Sequence, residues 1–240
     1  MKKDRASKPS DILNQIDFKV KRYLGQNFIF DLNITNKIVK SAFPLCDTLI
    51  EIGPGPGTLT KSILTSGAKK LFVIEKDTHS IHLLNPILDV FSKQLTIINT
   101  DVLNYPIWKL GTKPRQVIAN LPYNISTKIL IILLKNINNF QKLNLMFQKE
   151  VALRIIAKPG EKFYGRLSVL AQLLTKPKIL FDIPNTVCTP RPKVESSFVE
   201  FIPLKKPMYR FNFNNIEKIT HLTFSKRRKM LRSILKKHGG

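Results

Sequence analysis

Short apolar segments alternate with longer amphipathic segments between residues 48 and 147, and this alternation most constrains the fold. The apolar segments have the length and composition of buried strands, and those between them have a helical spacing of apolar residues. Strands that alternate with helices indicate βαβ units, so we predict an α/β fold with a mostly parallel sheet. The predicted strands are residues 48–52, 71–75, 95–99, 116–119 and 143–147.

The predicted helices lie between and before these strands. Residues 58–66 form one, residues 77 to about 91 form another that is interrupted at Pro86, and residues 126–135 form a third with Ser126 as its cap. Asp31 is predicted to cap an earlier helix, because its carboxylate can accept from the free N–H groups of a first turn. The apolar stripe of that helix is Ile34, Ile38, Val39 and Ala42.

The pattern changes after about residue 165. Residues 167–174, 178–183 and 197–202 are interpreted as strands with shorter links, which predicts that the sheet ends in a hairpin rather than a crossover. Pro203 and Pro207 mark a linker, and a basic helix is predicted from Asn214 to about His238. We therefore expect a basic N-terminal tail (1–22), a main domain (23–203) and a short helical C-terminal domain (204–240).

The charge balance predicts a polyanionic partner. The chain has 240 residues, with 40 Lys and Arg against 16 Asp and Glu, so its formal net charge is +24. Such an excess suits nucleic acid or an anionic membrane face, and its self-repulsion favours a monomer when the protein is free. The longest apolar run, residues 129–134, is far shorter than the ~20 residues of a spanning helix. The predicted C-terminal helix has only a thin apolar stripe for insertion (Met230, Leu231, Ile234 and Leu235), so we expect no membrane association.

Cysteine and histidine usage favours a reducing compartment and no structural metal. Cys46 and Cys188 are far apart in the sequence, and the four histidines form no ligand cluster with them. Disulfide frameworks and zinc sites both need closer spacings. We therefore expect a cytoplasmic protein.

A glycine-rich turn, EIGPGPG at residues 51–57, directly follows the first predicted strand. Glycines such as Gly53 and Gly55 let the backbone turn tightly and let a ligand lie against it. The spacing is G-x-G-x-G rather than that of a dinucleotide site, and Pro54 and Pro56 lack N–H groups that could face a pyrophosphate. Taken alone, the motif also fits a plain tight turn.

Two acidic residues stand at the ends of the next predicted strands. Glu75 can accept both hydrogen bonds of a ribose diol, and Asp101 can accept from an exocyclic amine. Each has a simpler interpretation, because Glu75 could pair with Lys76 in solvent and Asp101 could cap a turn. Open α/β sheets bind ligands at the carboxyl ends of their strands, and the convergence there favours a ligand site.

The tetrapeptide Asn120-Leu121-Pro122-Tyr123 follows the fourth predicted strand. The Asn120 side-chain carbonyl and the Leu121 backbone carbonyl can both accept from an amino group, and Pro122 orients the turn. Tyr123 offers a flat face on which a base can stack. In isolation the tetrapeptide would be an ordinary turn, but beside the other motifs it predicts chemistry at an amine.

The chain resembles the rRNA adenine N6-dimethyltransferases, a class I S-adenosylmethionine-dependent family, and most of all their small-subunit group. The matching motifs occur in order from residue 23 to about 235: YLGQNF (23–28), EIGPGPG (51–57), NLPYNIST (120–127), QKEV (148–151), YGRLS (164–168), TPRPKVES (189–196) and FSKRRK (224–229). The resemblance implies a Rossmann-like seven-stranded sheet with helices on both faces, a small C-terminal helical domain, and S-adenosylmethionine as cofactor.

The resemblance also implies residue roles. Asn27 and the backbone around Ile29 would contact the methionine end of the cofactor, with Gly53 and Gly55 in the turn against it. Glu75 would hold the ribose and Asp101 the adenine amine of the cofactor. Asn120 to Tyr123 would hold the target adenine, and Asn120 would also contact the cofactor. The predicted phosphate contacts are Arg22, Arg227, Arg228, Lys229 and Arg232.

The substrate implied is a pair of adjacent adenines in a loop near the 3′ end of small-subunit rRNA, dimethylated at N6 during subunit assembly. Two alternatives stay open: a large-subunit rRNA adenine methylase, and an RNA-binding assembly or transcription factor that keeps the fold without turnover. Cys188 stands where the family commonly has an aromatic residue that packs on the target base, and it favours the last alternative. The C-terminal domain is also short relative to the family.

Overall fold

The structure is a computed structural model that describes residues 25–206, 211–225 and 229–235. The predicted N-terminal tail and Pro207 lie outside the described residues. The strands are β1 (Phe28–Ile29), β2 (Thr48–Ile52), β3 (Lys70–Glu75), β4 (Leu95–Asn99), β5 (Arg115–Asn120), β6 (Lys142–Gln148), β7 (Thr175–Ile183), β8 (Cys188–Thr189) and β9 (Ser196–Pro203). The α-helices are α1 (Leu32–Ser41), α2 (Thr58–Thr65), α3 (Thr78–Val90), α4 (Ser126–Lys135), α5 (Lys149–Ile156), α6 (Arg166–Leu174), α7 (Phe213–Ser225) and α8 (Leu231–Leu235).

Seven strands form one sheet in the order β4-β3-β2-β5-β6-β9-β7. β2 to β6 pair in parallel, while β9 runs antiparallel to both β6 and β7. The remaining two strands, β1 and β8, pair antiparallel with each other in a separate small sheet. The predicted fold class is confirmed, including the antiparallel end of the sheet.

Helices cover both faces of the sheet, and the strands alternate their side chains between them. Leu49 packs in one core cluster with residues of α1, α2 and α3, whereas its neighbour Ile50 packs in the other with residues of α4, α5 and α6. This period of two is what a strand buried on both faces requires. The carboxyl ends of β2, β3 and β5 lie at the same edge of the sheet, between the two layers of helices.

The predicted strand at residues 167–174 is wrong, because these residues form helix α6. Leu167, Leu170, Ala171 and Leu174 all pack towards the core, which is a helical spacing of three and four residues. The hydroxyl of Ser168 accepts from the backbone N–H of Gly165 at 3.0 Å and helps to start the helix. An apolar-rich segment of this length is compatible with either state, and here the period decides.

Three details of the predicted helices are corrected. α3 continues through Pro86, which lies on the exposed face where water can satisfy the carbonyl that loses its N–H partner. Ser126 is the first residue of α4 rather than its cap, and its hydroxyl donates to the carbonyl of Tyr123 at 3.1 Å. The single basic helix predicted near the C-terminus is divided, because α7 ends at Ser225 and α8 begins at Leu231.

Asp31 caps α1 as predicted, since its Oδ1 accepts from the backbone N–H of Asn33 at 2.8 Å. β9 ends at Pro203, and the proposed division between residues 203 and 204 stays a prediction. Across the part of the chain that the structure describes, no helix is both long enough and apolar enough to span a membrane.

Candidate active site

A cleft with a volume of about 220 Å³ opens at the carboxyl ends of β2, β3 and β5. Seven of the predicted site residues line it: Asn27, Gly53, Glu75, Asp101, Asn120, Leu121 and Pro122. Ile52, Ile74, Val102 and Leu103 line it as well and give it apolar walls. The structure thus brings the predicted acceptor groups together around one cleft.

The glycine turn approaches the N-terminal segment closely. Gly55 has φ +54°, and a Cβ on it would lie 2.2 Å from a ring carbon of Phe28. The backbone N–H of Gly55 donates to Oε2 of Glu75 at 3.3 Å, so Gly55 supports the cleft from behind rather than lining it. Gly53 lies in the wall itself, with φ +66°, facing Pro122.

Glu75 is held by backbone donors. Its Oε1 accepts from the N–H groups of Lys76 and Asp77, each at 2.8 Å, and its Oε2 accepts from Gly55. The residue is only 8% exposed, and burial raises the pKa of its carboxyl, while the three donors act in the opposite direction. The side chain is therefore rigid, with remaining acceptor capacity towards the cleft.

Asp101 is oriented at the other end of the cleft. Its Oδ1 accepts from the backbone N–H of Leu103 at 3.0 Å, and its Oδ2 forms an ion pair with Nζ of Lys76 at 2.9 Å. The hydrogen bond and charge of Lys76 lower the pKa of Asp101 below its usual range. Asp101 is thus an ionised acceptor at the mouth of the cleft.

Asn120 ends β5, and its amide orientation is set by the N-terminal segment. Nδ2 donates to the backbone carbonyl of Asn27 at 2.7 Å, which directs Oδ1 away as the acceptor of the side chain. Asn27 in turn donates through its own Nδ2 to the carbonyl of Gly25 at 3.2 Å. The two hydrogen bonds therefore fix the side chains of Asn27 and Asn120 in the lining of the cleft.

Tyr123 lies beside the cleft rather than in its lining. Its hydroxyl is hydrogen-bonded to the hydroxyl of Ser196, and its ring packs against the core cluster that contains Cys188. Burial raises the pKa of Tyr123 to about 12. Cys188 is 3% exposed, and burial raises the pKa of its thiol to about 11, so at neutral pH it is a protonated, enclosed side chain.

The small sheet of β1 and β8 joins two distant motifs. Ile29 pairs with Cys188, and Phe28 pairs with Thr189. Ile29 is buried and lines a small second cavity next to the cleft, so of the two residues predicted near the methionine end only Asn27 lines the cleft itself.

The predicted phosphate contacts are described in part. Lys229 and Arg232 are exposed, on and just before α8. Arg22, Arg227 and Arg228 lie outside the described residues. Their phosphate contacts stay predictions.

Sequence reasoning missed several connections at this edge of the sheet. Nζ of Lys149 pairs with Asp182 and Glu195, each at 2.8 Å, which raises the pKa of Lys149 and ties the end of β6 to the start of β9. The ion pair between Lys76 and Asp101 was also missed, as was the Tyr123–Ser196 hydrogen bond. No local pattern marks these partners.

The family of ribosomal RNA adenine dimethylases has a sequence model that matches residues 17–240. The chain belongs to this family. It is 41% identical over 231 residues to "Ribosomal RNA small subunit methyltransferase A" of Paramagnetospirillum magneticum, covering 96% of this chain and 82% of that protein. It is 44% identical over 220 residues to the protein of the same name from Rhodospirillum rubrum, covering 91% and 76%.

A crystal structure of a dimethyladenosine transferase from Plasmodium falciparum superimposes with a TM-score of 0.75 at 28% identity, covering 88% of this chain and 75% of that one. Membership of the dimethylase family confirms the predicted enzyme class and the predicted cofactor, S-adenosylmethionine.

The donor and acceptor chemistry of the cleft fits that cofactor. Carboxylates at Glu75 and Asp101 match the ribose hydroxyls and the adenine amine, which are all donors. Ile74 and Val102, which directly precede and follow these two acidic residues in the chain, give the same cleft apolar walls that suit the faces of a purine ring.

Proposed function

We propose that this protein transfers methyl groups to N6 of two adjacent adenines in a loop near the 3′ end of small-subunit rRNA, giving N6,N6-dimethyladenosine during subunit assembly. The observation that carries the proposal is the Asn120 side chain, locked by the Asn27 carbonyl at 2.7 Å at the edge of the cleft. The names of the relatives support the choice of the small subunit.

Glu75 and Asp101 would hold the cofactor through its ribose and adenine, with Asn27, Gly53 and the turn at Gly55 at its methionine end. When bound, S-adenosylmethionine supplies an electrophilic methyl group on its sulfonium, and a neutral thioether would leave without assistance. The protein's own task is then to position the nitrogen in line with that methyl group.

Asn120 and Leu121 would receive the target amine. The lone pair of adenine N6 is conjugated into the ring, which makes the amine a poor nucleophile. Two carbonyl acceptors, Asn120 Oδ1 and the Leu121 backbone, favour the pyramidal nitrogen that develops only towards the transition state. Because Asn120 is already oriented, little reorganisation accompanies the reaction.

Tyr123 would stack on the target base after the base has left its helix or loop. The hydroxyl bond to Ser196 keeps the ring from turning, which suits a platform. Cys188 supplies no aromatic partner on the other side, so we propose that the base is held from one face.

The basic C-terminal segment would hold the RNA by its phosphates. Lys229 and Arg232 are exposed, and the chain as a whole carries +24 charges. We propose that residues 204–240 form a short, basic, helical C-terminal domain that contacts RNA, that the protein is a monomer when free, and that it acts in the cytoplasm where subunits are assembled.

The test is mass spectrometry of nucleosides from unmethylated small subunits incubated with the chain and S-adenosylmethionine. We expect N6,N6-dimethyladenosine in the 3′-end loop, and its absence with Asn120→Ala. Methylation of a large-subunit rRNA alone would refute the substrate assignment. Binding of cofactor and subunits without methylation would instead identify an assembly factor.

A further inference from the structure

The QKEV and TPRPKVES motifs of the sequence meet in the folded protein, and the proposed mechanism gives no role to the lysine of the first. Gln148 pairs with Ser196 where β6 runs antiparallel to β9. The next residue, Lys149, begins α5, and its backbone N–H donates to the carbonyl of Glu195 at 2.9 Å. Lys149 therefore lies against the residue that directly precedes β9.

The side chain of Lys149 joins three segments of the chain. Its Nζ pairs with Oδ2 of Asp182, near the end of β7, and with Oε2 of Glu195, each at 2.8 Å. The hydrogen bonds that Lys149 and Ser197 donate to Asp182 lower the pKa of this carboxyl, which is ionised at neutral pH. Both carboxylates contact the same nitrogen and are therefore close to each other, and the ammonium of Lys149 offsets their repulsion.

Hydrogen bonds connect this ion cluster with Tyr123. The hydroxyl of Ser197 donates to Oδ1 of Asp182 at 2.6 Å. Ser196, the preceding residue, is hydrogen-bonded through its hydroxyl to the hydroxyl of Tyr123. Ser196 and Ser197 are both buried, whereas 40% of the Lys149 side chain is exposed. A surface cation thus fixes the start of the strand whose first residue is bonded to Tyr123.

Stability alone does not account for this arrangement. An exposed ion pair contributes little to the free energy of unfolding, because solvent screens its charges. β6 and β9 are already joined over the whole range from Leu143 to Gln148. What the ammonium adds is a fixed position for Asp182 and Glu195, which flank the residue that is bonded to Tyr123.

We infer that Lys149 is a positioning residue for the target base: it keeps Asp182 and Glu195 together, and the start of β9 then presents Ser196 to the Tyr123 hydroxyl. Without the ammonium the two carboxylates repel each other, the start of β9 shifts, and the Tyr123 ring turns more freely. The consequence is weaker binding of the target adenine rather than a slower chemical step. This inference rests on the proposed function, because it needs Tyr123 to stack on that adenine.

The test compares steady-state methylation of small subunits by the wild-type chain and by Lys149→Met, which keeps an unbranched side chain without its charge. We expect the KM for subunits to rise about two- to tenfold, the range for the loss of one hydrogen bond. The kcat at saturating subunits and the Kd of S-adenosylmethionine should change little, because the lost interaction holds substrate and transition state alike.

Two further variants serve as controls. Lys149→Arg should restore most of the lost affinity, because a guanidinium can donate to both carboxylates. Lys69→Met removes another exposed lysine that is ion-paired at 2.8 Å, here with Asp47. Its KM for subunits should equal that of the wild type.

A double variant separates positioning from a direct contact with RNA. In Tyr123→Phe the bond to Ser196 is already absent, so adding Lys149→Met should raise the KM no further. If Lys149 instead contacts a phosphate, its effect would persist in that background, and the magnitude of the log–log salt slope of binding would fall by about 1.

Four results would overturn the inference and leave the proposed function intact. These are an unchanged KM in Lys149→Met, additive effects in the double variant, a loss that Lys149→Arg does not restore, and loss of S-adenosylmethionine binding in Lys149→Met. Absence of methylation by the wild-type chain would overturn the proposed function and this inference with it.

Discussion

The side-chain amide of Asn120 donates to the backbone carbonyl of Asn27 at 2.7 Å, across 93 positions of sequence. A side-chain amide can turn over and exchange its oxygen and nitrogen, and this bond selects one of the two orientations. The acceptor that the reaction needs is therefore in place before substrate arrives.

Replacing Asn120 with alanine should lower kcat for adenine methylation by at least about 10²-fold, the scale seen when one preorganised polar group is removed from a transition state. The measurement is single-turnover transfer of labelled methyl groups to small subunits. Asn136→Ala is the control, since Asn136 caps the far end of α4 and donates there to Ile132. Comparable loss in both variants would contradict the role of Asn120.

Gly55→Ala should weaken both folding and cofactor binding, because its Cβ would lie 2.2 Å from the Phe28 ring. The matched control is Gly67→Ala: Gly67 also has positive φ, at +90°, but a Cβ there meets nothing within 4 Å. The control should lose only about 1 kcal/mol of unfolding free energy from backbone strain. Urea unfolding and calorimetry with S-adenosylmethionine separate the two effects, and equal behaviour would show that the Phe28 contact is unimportant.

Tyr123→Phe and Tyr123→Ala should differ. The phenylalanine variant keeps the ring and loses the bond to buried Ser196, so we expect a loss of about 1 kcal/mol of unfolding free energy and a modest fall in rate. The alanine variant removes the proposed platform and should raise the KM for subunits more strongly. The expected factor is the one that corresponds to the ~1–3 kcal/mol of one stacked base. Equal KM values would argue against stacking on Tyr123.

The free protein should lose stability as the pH rises from about 5 to 8. Glu51 and Glu75 both have pKa values raised by burial, so the folded state binds more protons than the unfolded chain in this range. Their stabilising effect is complete below the unfolded pKa and is lost as the pH passes the folded pKa. For one such group the slope approaches about 1.4 kcal/mol per pH unit.

Urea unfolding at several pH values measures that slope. Glu51→Gln should reduce it and raise stability at pH 8, because a neutral amide replaces a carboxylate in the same place. A slope that is unchanged in the variant would show that other groups titrate.

Binding to RNA should depend steeply on salt, as expected for phosphate contacts. Lys229→Ala and Arg232→Ala should each weaken binding at low salt and reduce the magnitude of the log–log salt slope by about 1. Lys69→Ala is the control, because Lys69 pairs with Asp47 at the amino ends of the strands. Unchanged slopes in the first two variants would remove these residues from the RNA surface.

Most of the fold was predictable because it depends on local periodicity. Strands β2 to β6 are short apolar runs, and their order along the chain dictates a parallel sheet. The strand prediction for residues 167–174 was wrong because their apolar residues suit a strand by composition and a helix by spacing. Only the packing of these residues against the core distinguishes the two. The predicted interruption of the helix at Pro86 was wrong because a proline, which usually breaks a helix, is tolerated on an exposed helical face.

The candidate site was predictable where one rule applied, namely that open α/β sheets bind ligands at the carboxyl ends of their parallel strands. Glu75 and Asn120 end parallel strands, Asp101 follows the end of another, and such ends meet at one edge. The partners that orient the site residues lie elsewhere in the sequence, as Lys76 does for Asp101 and Ser196 for Tyr123. No local sequence pattern marks these partners. They can be seen only when the chain is folded.

The pairing of β1 with β8 also sets the order in which the site matures during synthesis. Phe28 and Ile29 are made early, but their partners Cys188 and Thr189 leave the translating ribosome only after most of the sheet has been made. Until then β1 lacks its strand partner, and the segment that carries Asn27 is held by other contacts, such as the Asn27–Asn120 bond with the end of β5. A nascent chain that stops short of residue 188 would have β2 to β6 but would lack the completed methyl-transfer centre.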